Sequence, residues 1–103
     1  MTALTIDLTT DRFTPIPEGT PATIVLGYTS SAYPAIVVKV ERFKSGSRAS
    51  LVKTVTVKQV SLSGRICDGE TRFIVKPNGQ LTEVGNAWNH LNLGIAEHRP
   101  YWD

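Results

Sequence analysis

The chain has one cysteine, Cys67, and two histidines, His90 and His98. A lone thiol cannot form an intrachain disulfide and is most at ease in a reducing compartment. Paired cysteines and His-x-x-x-His spacing are missing, so the plausible metal ligands reduce to Cys67, His90, His98 and Asp103, and no metal site is expected. The simpler expectation is a buried, hydrophobe-like Cys67 and two histidines at the surface or hydrogen-bonded. No serine sits in a glycine-flanked elbow, no Gly-Lys-Ser/Thr follows a strand, and the nine acidic residues are scattered rather than paired. Hydrolytic, metal and phosphate-loop chemistry therefore lack their residues. The expectation is a protein that is not an enzyme and needs no cofactor. Apolar runs fall well short of the ~20 residues that cross a bilayer. The stretch 1–7 lacks the basic start and apolar block of a secretory leader. A cytoplasmic protein without membrane contact is expected.

What is present is a globular composition on 103 residues, 41% hydrophobic and 19% charged, which is too apolar and too low in net charge for disorder. That length suits one domain. The recurring signal is period two. Leu4, Ile6 and Leu8 alternate with polar residues as a short first strand, and Pro15, Pro17, Gly19 and Pro21 make 9–21 a loop. Residues 22–28 read as a strand with Ile24, Leu26 and Tyr28 on one side. Gly27 within it signals a bulge or a close backbone approach. Residues 35–43 are the clearest strand, with Ile36, Val38 and Val40 on one face and Val37, Lys39 and Glu41 on the other.

A polar turn at 44–47 leads to a strand over 51–60. There Val55 and Val57 point inward, while Thr54, Thr56 and Lys58 face solvent. A loop is expected over 61–69. Beyond it, Asn78-Gly79 between two β-prone runs predicts a hairpin over 72–84 with a type I′ turn, in which both central residues take positive φ. Residues 87–93 fit a helix loosely and a strand better, because Gly94 interrupts the run. The tail 97–103 is short and aromatic. About six short strands with little helix predict an all-β fold, a small antiparallel barrel, SH3-like or partly open.

Charge is unevenly placed. From Lys39 to Lys76 nine basic residues face three acidic ones, whereas the remainder has two basic and six acidic. The bland account is solvated outward positions on strands. The functional account is a face for an anionic partner. Candidate binding residues are Lys39, Arg42, Lys53, Lys58, Arg72 and Lys76 for charge, with Arg99 as a further anchor. Trp88, Tyr101 and Trp102, with Tyr28, Tyr33 and Phe43, are candidates for stacking or anchoring.

The segments Arg72-Phe73-Ile74-Val75-Lys76, Asn78-Gly79, Val84-Gly85, Leu91-Asn92-Leu93-Gly94 and Tyr101-Trp102-Asp103 carry a resemblance. So do 19–24 and 33–38. The chain resembles a group of small, mostly uncharacterised bacteriophage β-domain proteins, over roughly residues 19–103. Gln80-Leu81 stands where that group has an aromatic. The resemblance implies a compact phage accessory protein in the host cytoplasm and supplies no catalytic residues. The leading expectation is a non-enzymatic protein that binds and neutralises a host factor, either an immune effector protein or its nucleotide signal. A nucleic-acid-binding β module is the alternative, and a structural virion component a further one. Self-association through a hairpin edge stays open.

Overall fold

A computed structural model of the chain describes residues 7–28 and 31–98. Six strands follow in order: β1 (Pro21–Val25), β2 (Ala32–Arg42), β3 (Val52–Val60), β4 (Ile66–Val75), β5 (Leu81–Glu83) and β6 (Asn86–Leu93). Each pairs antiparallel with the next, and β6 pairs back onto β1. The result is a closed up-and-down barrel. The expected small antiparallel all-β barrel is therefore what forms, with its ring completed rather than partly open. Completion gives β1 a partner on both sides, which removes the exposed edge an open sheet would carry. No helix among the described residues is long and apolar enough to cross a membrane.

The core is the barrel interior. Ala22 and Ile24, Ala35 and Val37, Val52, Val55 and Val57, Phe73, Leu81, Leu91 and Leu93 fill it, mostly from alternate positions along the strands. Phe73 is fully buried and is the largest side chain there. Leu8 and Ile16 come from outside the sheet: residues 7–20 pass over one end of the barrel as a strap and drop these two side chains into it. The strand predicted over 4–8 lies mainly outside the described residues, and Leu8 itself sits in a turn.

Several local expectations are corrected. β1 stops at Val25, so Tyr28 does not continue the Ile24 face. It is 95% exposed. In β2 the predicted faces hold only as far as Val37. The ladder pairs Val37 with Val57 and then Lys39 with Thr56, so Val38 is an extra residue in a bulge. A bulge moves every later side chain to the opposite face. Val37 is thus a core residue, and Val40 packs on the core as well. Thr54 and Thr56 do point away from the interior, yet they are buried. The long side chains of neighbouring strands cover that outer face, and Thr54 Oγ1 donates to Glu41 Oε1 at 3.2 Å.

β4 begins at Ile66, inside the segment expected to be loop, because the turn at 61–65 is tight. Ser61 N bonds Arg65 O and Gly64 N bonds Ser61 O, at 2.8 and 2.9 Å. The hairpin after β4 repeats that pattern. Lys76 N bonds Gln80 O and Gly79 N bonds Lys76 O, and Gly79 has φ +85°. Asn78 is not at positive φ, so the predicted type I′ turn is not formed. The loop is three residues, Pro77-Asn78-Gly79, a type I turn closed by a left-handed glycine. Proline's fixed φ near −65° suits the first corner of that turn. Residues 86–93 form a strand, which resolves the helix ambiguity. Cys67, expected to be buried, is exposed on β4.

Gly27 is the close approach that its place in the sequence suggested. A Cβ there would lie 1.9 Å from the Trp88 carbonyl oxygen. Only glycine lets the two chain segments touch.

Candidate functional site

Alternating strand directions put the strap, the β2–β3 loop (43–51) and the β4–β5 loop (76–80) at one end of the barrel. This end is the mouth. A cavity of about 260 Å³ opens there, floored by Leu8, Leu51, Val52, Val75 and Pro77. Phe43, Arg48, Lys53 and Lys76 stand around it. Three cations and no acid line the space, and none of the three has an ion-pair partner among the described residues. Arg48 Cζ and Lys53 Nζ lie 5.7 and 5.9 Å from the centre of the Phe43 ring. The ring quadrupole holds both positive groups near one another.

The loop that carries Arg48 is fastened from two directions. Arg12 donates through Nη2 to Ser47 O at 2.7 Å and through Nη1 to Ala49 O. Arg42 donates to Ser50 O at 2.7 Å and to Thr14 O at 2.8 Å. Inside the loop, Ser50 is the one non-glycine at positive φ among the described residues, at 67°, and its N–H bonds Phe43 O at 2.9 Å. A serine in the left-handed region costs on the order of 1–2 kcal/mol. The two guanidinium clamps offset that strain and leave little freedom around Arg48.

The two aspartates of the strap bond within the strap itself. Asp11 Oδ1 accepts from Phe13 N and Thr14 N, both at 2.9 Å, and Oδ2 accepts from Thr14 Oγ1 at 2.7 Å. The Thr14 backbone bond, then its hydroxyl, then the Phe13 bond hold the Asp11 pKa down to about 2. Asp7 is lowered too, first by the Thr9 hydroxyl and then by the Thr9 N–H. Neither carboxylate lines the cavity.

The candidate residues divide accordingly. Lys53 and Lys76 come together at the mouth. Arg42 is not a free cation, because its guanidinium holds backbone carbonyls. Lys39 and Arg72 lie on the outer wall, both opposite Thr56, and Lys58 faces Glu70 across β3 and β4. A shallow polar groove of about 360 Å³ runs there, but Glu41 and Glu70 share it with Lys39 and Arg72. Lys39 Nζ and Glu41 Oε1 are 4.0 Å apart, so the charge on that wall is partly cancelled.

Trp88 is 76% exposed at the opposite end of the barrel. It sits in a β6 bulge between the pairs Glu83–Asn86 and Thr82–His90. Asn89 holds that bulge, accepting from Gly27 N and donating to Glu83 Oε1 at 3.2 and 3.0 Å. Tyr33 is half-buried and meets His98 edge-on at 5.7 Å, so it offers no open stacking face. Arg99, Tyr101 and Trp102 lie outside the described residues.

Sequence reasoning passed over Arg48. It sits past a polar turn with no periodicity to place it, and only its membership of the basic stretch pointed to it. Among the described residues no group of three His, Cys, Asp or Glu side chains converges as metal ligands. No buried side-chain polar atom there lacks a partner. In comparisons with protein-family models, curated proteins and solved structures, the chain matches none.

Proposed function

We propose that this is a non-enzymatic binding protein whose barrel mouth takes an anionic, phosphate-bearing ligand. In the setting that the phage resemblance implies, the ligand is a host nucleotide signal that the protein sequesters. One observation carries the reading: Arg48, Lys53 and Lys76 ring an apolar-floored cavity that contains no acid. Charges of one sign gathered in a concave, partly apolar space raise the local concentration of anions and bind them by charge-assisted hydrogen bonds. The clamped loop adds preorganisation, so little ordering entropy is lost on binding. The mixed charges of the outer wall favour a small anion at the mouth over a nucleic-acid backbone laid along the sheet.

Isothermal titration against a panel of cyclic and linear nucleotides tests this. The expected result is saturable binding that weakens with salt and falls roughly tenfold or more in Lys53→Ala and Lys76→Ala. Silence across the panel rejects the nucleotide reading.

The protein-effector form of the same role has its own support at the other end. Tyr28, Leu62 and Val84 are exposed on the loops there, with Ile66 and Trp88 beside them. Exposed aromatics on a fixed scaffold are the usual anchors of protein interfaces. Loss of a host protein from pull-downs by Trp88→Ala, with nucleotide binding intact, would assign the partner to that end.

A further inference from the structure

The three cations of the mouth are not held alike. Lys53 lies within β3 and Lys76 directly follows β4, so the barrel ladder fixes their backbones. Arg48 lies in the 43–51 loop, outside any strand. That loop closes at its base, where Phe43 N bonds Leu51 O at 3.0 Å and Ser50 N bonds Phe43 O at 2.9 Å. Arg42 holds it near the same place, at Ser50 O. The carbonyls on either side of Arg48, those of Ser47 and Ala49, are held by Arg12.

The strap sets Arg12 for this task. Arg12 falls midway between Leu8 and Ile16, the two strap side chains buried in the barrel. It also lies inside the Asp11 turn, whose carboxylate accepts from Phe13 N and Thr14 N just beyond it. Arg12 lines no part of the mouth cavity, so any effect it has on a bound anion passes through the loop. Its fork engages two carbonyls with separate nitrogens, which a lysine ammonium cannot reproduce.

We propose that Arg12 is a positioning residue of the anion site: it fixes Arg48 over the cavity and so makes affinity depend on the docked strap. The inference rests on the anion-binding reading and adds to it the element that controls the site. Without Arg12, the loop must be ordered at the moment of binding, and affinity falls by that cost.

The test titrates pyrophosphate by calorimetry at low salt. The proteins are the wild type, Arg12→Gln, Arg12→Lys, Arg48→Ala and Lys76→Ala, with Arg12→Gln also combined with each of the last two. Arg12→Gln is expected to weaken binding roughly three- to tenfold, and Arg12→Lys nearly as much, because it keeps the charge and loses the fork. Added to Arg48→Ala, Arg12→Gln should cost less than about twofold. Added to Lys76→Ala, it should cost its full factor. General damage to the mouth would instead lower affinity in both backgrounds. Equal losses in the two backgrounds therefore overturn the positioning role, as does wild-type affinity in Arg12→Gln or Arg12→Lys. Each of those results leaves the anion site standing. If pyrophosphate does not bind the wild type, the anion-binding reading falls and the role of Arg12 falls with it.

Discussion

Asp11 organises more of the mouth than its exposure suggests. Its carboxylate gathers the Phe13 and Thr14 N–H groups and the Thr14 hydroxyl, and Thr14 O in turn receives Arg42. Arg42 also holds Ser50 O, in the loop that carries Arg48. A carboxylate whose pKa is lower in the folded chain than in the unfolded one stabilises the fold above its unfolded value. That contribution is fully present above 3.8 and is lost as pH falls through about 2. The melting temperature should therefore decline over this interval, and Asp11→Asn should flatten part of the decline. An identical acid limb in Asp11→Asn would mean that the carboxylate does not hold the strap. Asp7, lowered by Thr9, acts in the same direction beside Leu8. None of this was legible in the sequence, where Asp7 read as a polar position of a short first strand and Asp11 as a loop residue. An Asx turn depends on backbone direction, and side-chain order does not reveal it.

At the scale of strands, periodicity located the elements well and gave the inward Val55 and Val57 of β3, but it misread β2 beyond Val37. Over 35–43 the alternation is unbroken in the sequence, so Val38 and Val40 look equivalent. The bulge between Val37 and Lys39 makes them different, because Val40 packs on the core and Val38 is the inserted residue. A threonine keeps the β-branch and adds a hydroxyl. Buried without a partner, that hydroxyl costs about 1–3 kcal/mol. Val40→Thr should therefore destabilise by about that much in denaturant titration, and Val38→Thr by less than roughly 0.5 kcal/mol. Equal losses would restore the uninterrupted register. The same limitation applies to the turn at Pro77. The Asn-Gly pair announced a hairpin correctly, but the preceding proline decided which residues form its corner. Binding residues followed the same pattern. Lys53 and Lys76 are strand-end positions whose meeting depends on the β3–β4 register, and Arg48 depends on a loop with no repeat to read.

For the whole molecule, alternation of strand direction separates two chemistries. Three cations without an acid among them gather where the strap crosses, beside the exposed Phe13 of the strap, and Tyr28, Leu62, Val84 and Trp88 stand exposed where the other loops turn. The overall barrel was legible because six β-prone runs without a helix between them leave few ways to bury one face of each. Its polarity was not, because it emerges only once loops distant in the chain share an end.

β5 has three residues and pairs with only Phe73, Ile74 and Val75 of β4. Below that point β4 keeps β3 on one side, while Ile66 to Glu70 are all exposed. Cys67, Asp68 and Gly69 bulge opposite Gln59 there, and the acidic side chains discourage a stray strand from adding on. The cylinder is thus shut by a clasp one short strand long. In native-state deuterium exchange the amides of 81–83 should give way well before those of β3, reporting a breathing motion in which the wall unzips at its narrowest join and then reseals.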